Sequence, residues 1–190
     1  MDMKGSRTEH NLMKAFAGES QARNRYTFFA KIAADEGYQQ IANLFLETAD
    51  NERAHAFAFF SLLDGGMPEL TASYPAGPVG STAENLLAAA DGELMEWGTL
   101  YPDFAQVAEE EGFKKAAAAF RKVSVAETYH ERRYRKLLAN VEAGKVFKKD
   151  KPTLWKCEEC GYIHEGAEAL NVCPLCGKSQ AFFEVYGENY

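Results

Sequence analysis

"DNERAH" (residues 50–55) and "VAETYH" (residues 125–130) each place a glutamate three residues before a histidine, Glu52 with His55 and Glu127 with His130. On a helix, a spacing of three puts both side chains on one face. The segments around the pairs also repeat. "GESQARNRYTFFAKIAADEGYQQIANLF" is echoed by "GELMEWGTLYPDFAQVAEEEGFKKAAAAF", with Gly18-Glu19 matching Gly92-Glu93 and Glu36-Gly37-Tyr38 matching Glu111-Gly112-Phe113. Glu36 and Glu111 precede Glu52 and Glu127 by the same sixteen residues, whereas Glu19 to Glu52 is 33 and Glu93 to Glu127 is 34. The extra residue is expected near Pro102, where a proline inside the third helix should kink it. Each repeat therefore reads as a helix hairpin turning near Glu-Gly. Two hairpins joined by the Pro/Gly-rich crossover "GGMPELTASYPAGPVG" (residues 65–80) make an all-α four-helix bundle.

Punctuation along the chain agrees. Ser6 with Glu9 and Ser81 with Glu84 have capping-box spacing at the two helical starts. Gly65-Gly66 should stop the first helical stretch, and Gly144 should follow the end of the second at Ala143. From "KVFKKDKPT" onward the composition turns to Cys, Gly and aromatics. The expected units are residues 1–147 and 148–190.

The formal charge, 21 − 28 = −7, argues against nucleic-acid or anionic-membrane partners, both of which want a basic face. The longest apolar run, Ala54–Leu63, is interrupted by His55 and Ser61 and falls far short of the ~20 residues of a membrane span. The opening "MDMKGSRTEH" has no apolar signal region, so the expected location is cytoplasmic.

Helical spacing puts four acids in apolar stripes. Glu19 shares its face with Leu12, Phe16, Ala22 and Tyr26; Glu52 with Phe45, Ala49, Ala56 and Phe59. Glu93 lies with Leu86, Ala89, Ala90 and Leu100, and Glu127 with Phe120, Val123 and Tyr134. One uncompensated buried carboxylate costs several kcal/mol, and four together also repel one another. Arg23 is the only inward cation candidate. Metal cations are the economical answer. One Glu from each hairpin's first helix and a Glu-x-x-His from its second is the donor set of carboxylate-bridged two-metal bundles, suited to iron or manganese, with zinc able to intrude. Glu96 breaks the repeat, standing three after Glu93 where the first half has Ala22. That surplus suggests ligands that exchange when the charge on the metal changes.

Cys157-x-x-Cys160 and Cys173-x-x-Cys176 lie twelve residues apart, each pair followed by Gly161 or Gly177. Four thiolates so arranged bind one tetrahedral metal, zinc as a structural ribbon or iron as a one-electron carrier. His164 is then a spare, and His10 reads as a surface residue.

With both sites in view the chain resembles the rubrerythrin family over essentially its whole length, through "GSRTEHNLMKAFAGESQARNRY", "ETADNERAH", "VAETYHERR" and "CGYIHEG". The resemblance implies a ferritin-like di-iron bundle followed by a rubredoxin-like unit holding one iron. It implies reduction of hydrogen peroxide to water in oxidative-stress defence, with electrons from an external reductase or rubredoxin. It further implies that Glu52 and Glu127 bridge the irons, that Glu19 and His130 complete one, and that Glu93 and Glu96 complete the other. On reduction, that second iron leaves Glu96 for His55. Tyr26 and Tyr101 match tyrosines that hydrogen-bond beside the site. The apolar neighbours Leu94, Met95 and Trp97 depart from the family pattern and predict a shielded Glu96. Helix length alone separates the two sites by about 20 Å, which predicts a head-to-tail homodimer, and the long crossover would let hairpins swap between chains. The rival expectations are a ferroxidase, and an iron-handling protein with a structural four-cysteine site.

Overall fold

The structure, a computed structural model, describes residues 2–189; Met1 and Tyr190, the outer ends of the two expected units, lie outside the described residues. Two long antiparallel helices, α1 (Arg7–Asp35) and α2 (Gln39–Phe60), form the first hairpin. The second runs through α3 (Thr82–Met95), a π-helical turn (Glu96–Leu100) and α4 (Tyr101–Glu110), then returns as α5 (Lys114–Glu142). Its α3 and α4 both pack along α5, so the two act as one interrupted helix of a four-helix bundle.

The turn chemistry explains the hairpins. After α1, Gly37 adopts φ +85°, its N–H bonds to Ala34 O and the next N–H reaches back to Ala33 O. Gly112 after α4 and Gly144 after α5 repeat that pattern. Such left-handed residues satisfy the orphan carbonyls of a helix end, and glycine takes them without a Cβ penalty. The first helix start differs slightly from expectation. Ser6 Oγ accepts from Glu9 N, but the Glu9 carboxylate receives Gly5 N rather than Ser6 N; the reciprocal box is complete only at Ser81–Glu84. The first stretch also ends early, at Phe60, and residues 61–80 cross to the second hairpin without regular structure.

Pro102 does not kink a continuous helix. It sits in the first turn of α4, directly after the π turn, and Trp97 O, five residues before it, accepts from Ser124 Oγ. The extra residue is taken up just before it, in the π turn, where Tyr101 N–H bonds to Glu96 O, five residues back. A single π turn is a one-residue insertion that leaves the helix on either side in phase.

Two apolar clusters fill the bundle, above and below the acids. Beyond α5, a three-stranded antiparallel sheet of order β2-β1-β3 is built from β1 (Lys148–Cys157), β2 (Ile163–Glu168) and β3 (Phe183–Val185), around buried Trp155 and Phe183. The sheet unit meets the bundle near the α1–α2 turn. Tyr38 stacks on Phe147, and Asn43 donates to Glu158 at 2.7 Å.

Candidate metal centres

Each of the four helices turns acid inward at one depth. Glu19, Glu93 and Glu127 are 0% exposed, Glu52 1% and Glu96 7%. Arg23 points to solvent and neutralises none of them. The nearest helpful cation is Arg25, beside Glu96, a role the sequence reading missed because Arg25 lies at the edge of the inward stripe.

Two overlapping donor groups result. Glu19, Glu52, His55 and Glu127 offer atoms all within 4.8 Å of one another, as do Glu52, Glu93, Glu127 and His130. Glu52 and Glu127 belong to both. His55 Nδ1 lies 2.9 Å from Glu52 and Glu127 and 3.9 Å from Glu19. His130 Nδ1 lies 2.7 Å from Glu127, 3.3 Å from Glu52 and 3.6 Å from Glu93. The terminal donors therefore pair Glu19 with His55 and Glu93 with His130, not Glu19 with His130 as the resemblance implied. Connectivity explains this: each histidine rides on the second helix of a hairpin and faces the acid of that hairpin's own first helix. Glu96 stands outside both groups, and acids of both halves feel it: its charge raises the Glu19 carboxyl, while Glu93 is the foremost acid raising its own.

The phenols cross between halves. Tyr26 donates to Glu93 Oε1 at 2.5 Å, and Tyr101 donates to Glu19 Oε1. Tyr26 is seven residues after Glu19, while Tyr101 is eight after Glu93. The π turn absorbs the difference and takes Leu100, which the spacing placed inward, to a half-buried position. Around Tyr26 pack Phe45 and Tyr134, and around Tyr101 pack Phe59 and Phe120, so an aromatic layer seals each side of the acids.

Several donor atoms in this dry interior have no hydrogen-bond partner: Glu19 Oε2, Glu52 Oε1, Glu93 Oε2, both Glu127 oxygens and His130 Nδ1. Buried polar atoms are normally satisfied. Orphans converging on shared centres are what a cation pair would satisfy, so the residues fit a two-metal site. Without metal, protons must do the work. Burial and neighbouring acids push the Glu19, Glu93 and Glu96 carboxyls well above the ordinary range. Burial opposes charge on both histidines, yet the carboxylates around them win, lifting His55 to about 9 and His130 to about 12. Those imidazoles in turn hold Glu52 low against its burial.

Asn51 was not anticipated. Its Oδ1 lies 3.2 Å from His130 Nε2, which fixes the ring so that Nδ1 faces the acids. The clue lay in plain sight, one position before Glu52 within "DNERAH".

Cys157 ends β1 and the other cysteines lie in the two following turns. Their sulfurs also lie within 4.8 Å of one another, Cys157–Cys176 at 3.7 Å and Cys160–Cys173 at 3.6 Å. A tetrahedron of metal–sulfur bonds about 2.3 Å long has edges of about 3.8 Å, so these four also fit a single ion. Gly161 and Gly177 take φ +76° and close each turn onto the first cysteine's carbonyl. Backbone N–H groups of Tyr162, Leu175 and Lys178 then point at sulfurs.

Comparison with known proteins agrees with this geometry. The rubrerythrin family profile matches residues 10–138, and the profile for the rubrerythrin rubredoxin-like domain matches residues 155–184. The chain belongs to the rubrerythrin family. It is 57% identical to rubrerythrin of Porphyromonas gingivalis, over 99% of this chain and 94% of that one. Rubrerythrin-1 of Clostridium acetobutylicum is 56% identical, over 99% and 98%. Among solved structures, fully reduced, all-ferrous nigerythrin superimposes with a TM-score of 0.65 at 37% identity, covering 96% of this chain and 87% of the other. Among the described residues no helix is long and apolar enough to cross a membrane.

Proposed function

We propose that this chain is a non-haem di-iron peroxidase that reduces hydrogen peroxide to water in oxidative-stress defence. In this reading residues 1–147 house the di-iron site and residues 148–190 the electron-relaying iron. The carrying observation is the coexistence, in one chain, of a buried carboxylate–histidine set with one donor to spare and a four-sulfur site suited to single electrons. The proposed di-iron ligands are Glu19, Glu52, His55, Glu93, Glu96, Glu127 and His130. The mononuclear iron is assigned to Cys157, Cys160, Cys173 and Cys176, where zinc can substitute. When bound, the iron pair supplies two electrons for cleaving the O–O bond and Lewis acidity to polarise it.

The chain's own part is to hold and shield. Glu52 and Glu127 span both positions, while Tyr26 and Tyr101 hold Glu93 and Glu19 in orientation. The aromatic layers keep water out, which strengthens every charge interaction within. His55 drawn in and Glu96 held out is one of the two states that a ligand exchange between them requires.

Electrons enter from an external reductase or rubredoxin. Within one chain the cysteine unit docks at Asn43, nine residues before Glu52 and so about 14 Å along α2 from the acids. A head-to-tail homodimer, each cysteine unit serving its partner's bundle, would shorten that path.

The test is anaerobic reduction followed by separate mixing with peroxide and with oxygen. Peroxide should reoxidise the cysteine-iron colour much faster than oxygen does; equal or slower reaction with peroxide favours ferroxidase chemistry and ends this reading. Glu127→Ala should abolish peroxide-driven reoxidation and leave the reducible colour intact.

A further inference from the structure

A cavity of about 240 Å³ lies between α1, the π turn and the crossover. Its inner wall includes Glu96 and Tyr101, the latter bonded to Glu19, so the cavity ends one side chain short of the donor cluster. Glu96 is buried, as the sequence suggested, but of its apolar neighbours only Met95 lines this cavity, and polar Lys14, Gln21 and Arg25 line it as well. The outer wall is crossover residues 72–75. Tyr74 is its one aromatic. The Tyr74 hydroxyl donates to Lys14 O at 2.8 Å, and its ring lies 3.7 Å from where a Cβ on Gly18 would stand. Gly18 is one residue before Glu19, so the ring lies over the turn of α1 that carries Glu19, at a distance where even an added Cβ would make ordinary contact.

We propose that this cavity is the route by which hydroperoxides reach the donor cluster, and that Tyr74 is a specificity-determining residue that restricts entry to small ones. The proposal rests on the peroxidase reading. At about 30 Å³ per water the space holds about eight waters, so it admits hydrogen peroxide readily and its volume is not the screen. The screen is the outer wall: an aryl-substituted hydroperoxide passing residues 72–75 meets the Tyr74 ring, which its hydrogen bond to Lys14 O holds against α1. The chemistry is common to both substrates: ROOH takes two electrons, from the external donor through the proposed irons, and two protons, its O–O bond breaks, and ROH and water leave.

The experiment compares second-order rates for hydrogen peroxide and cumene hydroperoxide with the reduced, iron-loaded protein. Tyr74→Ala should lower the ratio of the two rates, hydrogen peroxide over cumene hydroperoxide, at least tenfold. Tyr74→Phe keeps the ring and should stay within twofold of wild type. An unchanged ratio in the alanine variant, or an equal fall in the phenylalanine one, overturns the proposal. A second arm involves no turnover: azide and benzoate are titrated into the oxidised protein and followed by the iron absorption bands. Wild type should take azide alone, and Tyr74→Ala both; benzoate binding equally to the two proteins overturns the screen. Failure of wild type to react with any peroxide would instead sink the peroxidase reading, while the anion arm would still judge the route.

Discussion

The two hairpins are copies, and their differences are more informative than their likeness. In the first, α1 passes the acids as an unbroken helix; in the second, α3 and α4 are joined by a π turn. The first half has Ala22 in the core, where the second has Glu96 beside the donors. The first half has Asn51 before its Glu-x-x-His, where the second has Ala126. One inserted residue thus coincides with the surplus acid, while the rest of the helix keeps its phase. Tyr101 still mirrors Tyr26, and Phe120 still mirrors Phe45, each phenylalanine seven residues before an acid common to both donor groups.

The sharpest way to break this comparison is to delete one residue from each half. Loss of Ala22 turns everything beyond it by about 100° relative to Glu19, swinging Tyr26 and Phe29 out of the core. Each buried aromatic withdrawn costs about 3–5 kcal/mol, so the variant should fail to fold, read as lost helical circular dichroism. Loss of Thr99 should be tolerated, because it reduces the π turn to the α-helical path that the first half already follows. If both deletions unfold the protein alike, the π turn is not a one-residue absorber.

How much of this was legible beforehand follows the same line. Periodicity revealed the bundle because buried stripes recur every three to four residues whatever the neighbouring helix does. It also revealed Glu19, Glu52, Glu93 and Glu127, since charge in an apolar stripe is conspicuous. The 33-against-34 count exposed an insertion but not its form, and proline drew attention away from residues 96–100 because a π turn carries no residue signature of its own. The Glu19–His55 and Glu93–His130 pairing was invisible because it depends on which helices touch. Arg25 and Asn51 act across helices, and no single-helix pattern marks them.

Removing metal should make the two ends of the chain diverge with pH. In the bundle, the folded-state affinities of Glu19, Glu93 and Glu96 for protons are raised, so their contribution to stability falls as pH rises above the ordinary carboxylate range. His55 adds stability that is complete below 6.5 and lost as pH climbs through about 9; His130 follows through about 12. Glu52, held low, acts oppositely, its contribution vanishing only as pH falls from 4.5 through about 2. The net expectation is a thermal midpoint of the iron-free bundle that drops steadily between pH 5 and pH 9, while the iron-loaded bundle stays nearly level. A flat iron-free profile would show that the acids are not gathered as described. Iron uptake should also release protons, measurable in weakly buffered solution.

The crossed phenols give a smaller, symmetric test. Tyr26→Phe and Tyr101→Phe each remove a hydrogen bond to a buried carboxylate, worth about 1.5–3 kcal/mol. Since the halves place them equivalently, the two variants should lose similar stability in thermal melts of the iron-loaded protein. A several-fold disparity would mean that the π turn does not restore the symmetry of the two halves.

The last asymmetry concerns the histidines. Asn51 holds the outer nitrogen of His130, whereas Ala126, its counterpart, offers His55 nothing, and no hydrogen-bond partner among the described residues holds the outer nitrogen of His55. An untethered imidazole is free to turn toward and away from a metal held by these acids, which is the freedom that an exchange with Glu96 would use. Ala126→Asn should reproduce on His55 the tether that Asn51 provides, keeping iron content constant while slowing peroxide reduction about tenfold, the lower end of what partners of metal-bound histidines are worth. Asn51→Ala should do the reverse, loosening His130 and weakening iron binding about 10- to 100-fold by equilibrium chelation. If Ala126→Asn leaves the peroxide rate untouched, freedom of His55 is not what separates the two halves, and Glu96 must act without it.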